Sequence, residues 1–220
     1  MIRVLLAMGC LVFCFSACVR QDNYQPGPDP GPVNNNRGVD SAHFTYNELF
    51  NGTDNYNWVF ASPTDSAYGS IGSSGYQYVD YSTFSFNSSV VYTYNSVSGG
   101  LIIRTKIMSN NVMGLIFGAS PSDNGYAFYV DSNGYYSLYK EGYGTVASTA
   151  IIPSRQDTLF ALKKGWNQLE IDQSAGTWTG IINGTQVFQI PAGGLAGSGF
   201  GFKIAPGTVG YANYLYVNSH

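Results

Sequence analysis

Beyond residue 18 this 220-residue chain has no cysteine, the three it contains being Cys10, Cys14 and Cys18. The body of the protein therefore forms no disulfide, holds no CxxC metal knuckle and performs no thiol catalysis. Histidine is almost as scarce. His43 and His220 are the only two, one beside a low-complexity stretch and one at the last position, which leaves a serine, histidine, acid constellation without a base. No GxSxG, HExxH or Walker sequence occurs. Charge is thin too, with 10 Lys and Arg against 13 Asp and Glu. The basic residues are scattered singly apart from Lys163 and Lys164, so nucleic acid is not an expected partner. Helical periodicity is also missing: apolar residues do not recur at i, i+3, i+4, i+7, and glycine interrupts every long window.

What the chain does have begins at its N-terminus. Arg3 precedes VLLAMGCLVFCFSA, an uncharged apolar run shorter than the ~20 residues a membrane-spanning helix needs, and this is the layout of a secretory signal. Ser16, Ala17 and Cys18 resemble the lipobox of bacterial lipoproteins, whose cysteine is lipidated and becomes the new N-terminus, with Phe15 standing where leucine is usual. Cys14 follows the bulky Phe13, and Cys10 would leave almost no apolar segment. Cys18 is thus the lipidation residue the likeness implies. Residues 1–17 then read as a lipoprotein signal peptide. Residues 18–40, rich in Pro, Asn, Gly and Asp with almost nothing apolar to bury, read as lipidated cysteine and flexible tether. Residues 41–220 suffice for one domain. The expected place is the bacterial cell envelope, the protein anchored to the membrane by lipid. Asp22 is the only acidic residue just after Cys18, which leaves periplasmic and surface-facing display both open.

In the body, alternation of apolar and polar residues dominates. LIIRTKIMS (101–109), MGLIFGA (113–119), YAFYVD (126–131), YYSLYKE (135–141), NQLEID (167–172), TWTGIIN (177–183) and ANYLYV (212–217) read as strands, separated by Asn-Gly, Asp-Asn-Gly and Pro-Gly turn signals. HFTYNELF, YNWVFAS, YQYVDYSTF and VVYTYN are earlier candidates, and Phe200, Phe202 and Ile204 alternate as on a half-buried strand. Such spacing predicts an all-β antiparallel sandwich or barrel.

The order of the later strands carries a resemblance. GLIFGASPSDNGYAFYVDSNGYYSLYKEGYG, then GWNQLEIDQSAGTWTGIINGTQVF, then GSGFGFKIAPGTVGYANYLYV is similar to the concanavalin A-like, laminin G-like domains of secreted bacterial proteins. Tyr126, Phe128, Val130, Tyr136, Leu138, Trp166, Asn167, Leu169, Ile171, Asn183 and Gly184 stand at the motif positions. The resemblance implies an antiparallel two-sheet jelly-roll sandwich. Its members include sugar-binding modules, glycosidases and adhesive domains, so it implies a fold more than a function.

Candidate chemistry is sparse. One large glycosidase family of this fold uses ExDxxE on one strand, and Glu170 and Asp172 match its first two acids, but Ala175 stands at the third. Retaining hydrolysis needs two carboxyl groups about 5–5.5 Å apart, so no catalytic residue is assigned and the pair reads as a polar strand face. Gly142 to Ala147 fits GxGxxA, yet the Ser-Thr-Ala-Ile-Ile-Pro run behind it would not start the helix that a dinucleotide site needs. Asp131-Ser-Asn-Gly134 begins like a calcium loop but has Gly142 where the closing glutamate belongs. No cofactor is expected; a structural calcium on the rim, as in laminin G-like relatives, stays open.

Aromatic excess remains, with 18 tyrosines. Alternation sets Tyr129 opposite Tyr126, Phe128 and Val130, sets Tyr135 and Tyr139 opposite Tyr136 and Leu138, and gathers Tyr92 and Tyr94 opposite Val91. Rings collected on an outward sheet face stack on sugar C–H surfaces, although tyrosine also forms strands well and stabilises them through cross-strand pairs. The leading expectation is a non-catalytic domain binding polysaccharide or glycan through Tyr92, Tyr94, Tyr129, Tyr135 and Tyr139. A glycosidase-like enzyme of the same fold and an adhesive domain recognising protein are the alternatives.

Overall fold

The computed structural model describes residues 44–54, 56–61, 67–83, 86–92, 100–121, 125–157 and 165–219. The signal segment, Cys18, the tether, Tyr94 and the Lys163–Lys164 pair lie outside the described residues. Within them there are fifteen strands, numbered in chain order, and no helix.

Nine strands form one antiparallel sheet: β1 (Phe44–Glu48), β2 (Phe60–Ala61), β3 (Ala67–Gly72), β4 (Gly75–Asp80), β6 (Leu101–Ser109), β11 (Asn167–Ser174), β12 (Thr177–Ile182), β13 (Thr185–Pro191) and β15 (Val209–Ser219). Its order is β13-β12-β11-β6-β15-β4-β3-β2. β15 pairs with β4 through Val209–Ala212 and with β1 through Leu215–Ser219, so the two shorter strands share one flank of a long one. Six strands form the second sheet: β5 (Asn87–Tyr92), β7 (Val112–Ala119), β8 (Tyr126–Asp131), β9 (Tyr135–Lys140), β10 (Thr149–Gln156) and β14 (Gly199–Ile204), in the order β10-β9-β8-β7-β14-β5. The sandwich expected from the sequence is the one observed.

Alternation places the core. One residue in two on each strand faces the opposite sheet, and rings from both layers meet there. Tyr46 lies 4.9 Å from Phe200, Tyr126 4.5 Å from Trp178 and Phe128 5.1 Å from Phe188. Trp178, grouped by alternation with Ile182, is buried with it.

Tight turns fix the register. Asn183 and Gly184 take φ of 50° and 80° between β12 and β13, as the Asn-Gly signal requires. Ala175 and Gly176, at 47° and 73°, make the same kind of turn between β11 and β12. The position where the glycosidase motif needs its last glutamate is therefore a hairpin turn and not part of the strand. Gly142 to Ala147 is likewise a turn between β9 and β10, closed by Val146 N donating to the Tyr143 carbonyl at 3.0 Å.

Candidate functional site

Of the tyrosines singled out from the sequence, Tyr129, Tyr135 and Tyr139 belong to the six-stranded sheet, on the face turned away from the core, and Tyr92 closes β5 of the same sheet. Phe200, Phe202 and Ile204 point inward, so Lys203 points out. The same parity turns Tyr129 out from β8 and Tyr135, Ser137 and Tyr139 out from β9. Register aligns Ser88, Lys203, Gly114, Tyr129 and Ser137 in one row across β5, β14, β7, β8 and β9.

Facing outward does not leave Tyr129 exposed. It is only 6% accessible, which corrects the expectation that its ring offers a stacking surface. Two neighbours explain the burial. Gly114 lacks a side chain, and a Cβ there would stand 2.5 Å from the Tyr129 ring, so the ring lies across β7. Its hydroxyl then donates to Glu141 Oε1 at 2.8 Å. Glu141 follows β9 and keeps its alternation, with its N–H donating to the Gly125 carbonyl at 2.8 Å.

Glu141 is the hub of this face. Its Oε2 accepts from Lys203 Nζ at 2.7 Å and from Ser148 Oγ at 3.0 Å, and Ser148 Oγ accepts in turn from Gly142 N at 3.1 Å. The side chains of Lys203 and Glu141 are 7% and 6% exposed. Burial, and after it the charge of Glu141, pushes the Tyr129 phenol well above its usual range. Lys203 makes no other hydrogen bond among the described residues, so two of its three N–H donors are unfilled.

Rings border the network. Tyr139 stands edge-on to Tyr129 at 6.1 Å, and Phe86 meets Tyr129 from the other side at 5.5 Å. Phe86 is 45% exposed and Tyr135 38%, while Tyr139 is half-buried. Tyr92 lies opposite Gly199 at the end of β5. Among the described side chains, the accessible aromatic surface of this face includes Phe86, Tyr139 and Tyr135, of which Phe86 was not foreseen.

Neither carboxylate route foreseen in the sequence assembles here. Glu170 and Asp172 sit on the outer face of the other sheet, where Glu170 is paired with Arg104 at 2.8 Å and is not a free solvent-facing acid. On the six-stranded face Asp131 is occupied: its Oδ1 accepts from Asn133 N at 2.8 Å and Tyr135 N at 2.9 Å, closing the turn that begins like a calcium loop. Among the described residues no group of three or more His, Cys, Asp or Glu is placed to hold a metal ion.

No protein-family model matches the sequence, and no curated protein does. Many solved structures share the architecture, and two of them show the extent of the likeness. The carbohydrate-binding module CBM66 from Bacillus subtilis aligns with a TM-score of 0.53 at 13% identity, covering 81% of this chain and 96% of that one. The carbohydrate recognition domain of Emp47p aligns with a TM-score of 0.51 at 10% identity, covering 82% and 96%. Likeness at these identities shows the fold alone, an all-β antiparallel two-sheet jelly-roll sandwich.

Proposed function

We propose that this protein is a lipid-anchored envelope protein whose jelly-roll domain binds glycan without turning it over, on the outer face of the six-stranded sheet. The observation that carries this reading is the Lys203–Glu141 ion pair. A buried pair is often no better for stability than well-packed apolar residues of the same size, so its presence on a face that is not the core is not explained by folding. It holds a rigid polar floor beneath that face, and Phe86, Tyr139 and Tyr135 supply flat, accessible rings at the border for sugar C–H faces. The two structures alike in fold are named for carbohydrate binding and recognition, which accords with the reading. The anchor rests on the Ser16-Ala17-Cys18 sequence and the tether behind it.

The test is a screen of the purified chain by affinity electrophoresis through gels containing different polysaccharides, with the same samples assayed for released reducing ends. Retardation by at least one polysaccharide without hydrolysis is expected. No retardation in any gel contradicts glycan binding, and release of reducing ends contradicts its non-catalytic character.

A further inference from the structure

The nine-stranded sheet carries, on its own outer face, a set of groups distinct from the Lys203–Glu141 network and its bordering rings. It is built by an irregularity in β15. Pairing with β6 shifts between Ala212 and Leu215, so Asn213 and Tyr214 both fall on the solvent side before alternation resumes with Leu215 buried and Tyr216 half-buried. Thr105, fully buried on β6, pins the bulge by donating its hydroxyl to the Tyr214 carbonyl at 2.6 Å. Two tyrosines are thereby crowded against Arg104, whose charge reaches both phenols. Neither of those hydroxyls has a hydrogen-bond partner among the described residues.

Arg104 is held in turn. Its Nε and Nη2 donate to Glu170 Oε2 and Oε1 at 2.8 and 3.1 Å, a bidentate pair. The guanidinium keeps further N–H groups without a partner among the described residues, and its side chain is 42% exposed. One row over on β11, Asp172 Oδ1 is a buried acceptor with no donor.

We propose that this face is a second glycan-contact surface, taking a neutral polysaccharide strand laid across β15, β6 and β11. Charge and hydrogen bonding select the occupant. The described charges on the face, Arg104 and Lys106 against Glu170 and Asp172, cancel, so neither a polyanion nor a polycation is favoured. The unfilled groups within reach of solvent include donors on Arg104 and hydroxyls on Tyr214 and Tyr216 that both donate and accept. Sugar hydroxyls, which donate and accept, complement that mixture. With the two sheets presenting opposite faces, one domain holds two strands at once and gains avidity.

The experiment compares variants of the full chain, purified in detergent, by affinity electrophoresis in mixed-linkage β-glucan, glucomannan, levan and polygalacturonate. Tyr214→Ala with Tyr216→Ala is expected to weaken retention by a neutral polysaccharide at least tenfold with an unchanged near-UV circular dichroism spectrum. Phe86→Ala with Tyr139→Ala should leave residual retention that the quadruple variant abolishes. Should the tyrosine pair not fold, Arg104→Gln with Glu170→Gln reads the same face and should show the same loss. Undiminished retention in the folded variants of this face, or retention by polygalacturonate alone, overturns the second surface. If Phe86→Ala with Tyr139→Ala alone abolishes all retention, the second surface falls and the first stands. If only the Tyr214 and Tyr216 variant loses retention, the first falls and the second stands.

Discussion

Replacing Lys203 by methionine isolates the ion pair on which the six-stranded face is organised. The substitution keeps most of the aliphatic length and removes the charge, leaving the Glu141 carboxylate, 6% exposed, with only the neutral donors Tyr129 and Ser148. Breaking a buried pair from one side costs about 3–5 kcal/mol because the remaining charge is uncompensated. For a domain of this size each kcal/mol moves the midpoint by about 2–4 °C, so a fall of about 6–20 °C is expected. Glu141→Gln should cost a similar amount by stranding the ammonium. The double variant should lie far closer to the wild type than the sum of the singles, with a coupling of at least about 2 kcal/mol. Urea unfolding followed by tryptophan fluorescence measures all four species, since Trp58 and Trp178 are buried. Single variants that each cost less than about 1 kcal/mol and simply add would refute the claim that the pair is buried and mutually dependent.

Alkaline pH offers an independent check. The phenols of Tyr46, Tyr76 and Tyr129 are raised above their usual value, first of all by burial. A raised folded value means their contribution to stability is complete below about pH 10 and is lost as pH climbs beyond it; absorbance at about 295 nm should show these rings ionising only together with unfolding, and early ionisation of all tyrosines would count against their burial. Radiolabelled fatty acid should enter the full chain in a bacterial host and be absent from Cys18→Ala, whereas label that survives the substitution contradicts the anchor. The melting temperature of the mature domain should be the same with and without reductant, because no cysteine comes after Cys18; a large drop on reduction would contradict that processing.

Strands that bury one face wrote themselves into the sequence. Leu101 to Ser109 alternates cleanly, and β6 occupies those very residues. β10 escapes a reading by alternation because it lies at the sheet edge, where Ile152 is its one buried residue, Pro153 interrupts it and two register shifts break its pairing with β9. β3 escapes it because Gly69 and Gly72 dilute its pattern. ANYLYV reads as regular alternation, whereas the bulge after Ala212 is set by Thr105 on another strand.

The site was legible only in direction. Alternation tells which way Tyr129 points; it cannot tell that Gly114 lets the ring lie across β7, that Glu141, 12 residues away, takes its hydroxyl, or that Lys203, on a strand 62 residues beyond Glu141, pairs with that carboxylate. The sequence does hold one signal. In a chain with so few charges, Lys203 flanked by Phe202 and Ile204 and Glu141 directly after β9 are each a charge at a strand position with no local partner.

If the outer face of the six-stranded sheet holds glycan through its bordering rings, Phe86→Ala with Tyr139→Ala must lose affinity for whichever polysaccharide retains the wild type. Each truncation removes an accessible ring and at most a cross-strand pair of ~1 kcal/mol, while Phe128→Ala opens a core cavity costing about 3–5 kcal/mol. At least tenfold weaker binding is expected in the ring variant, with its melting temperature within a few degrees of wild type, and the reverse pattern in Phe128→Ala. Unchanged affinity in a folded ring variant would contradict glycan binding through these rings.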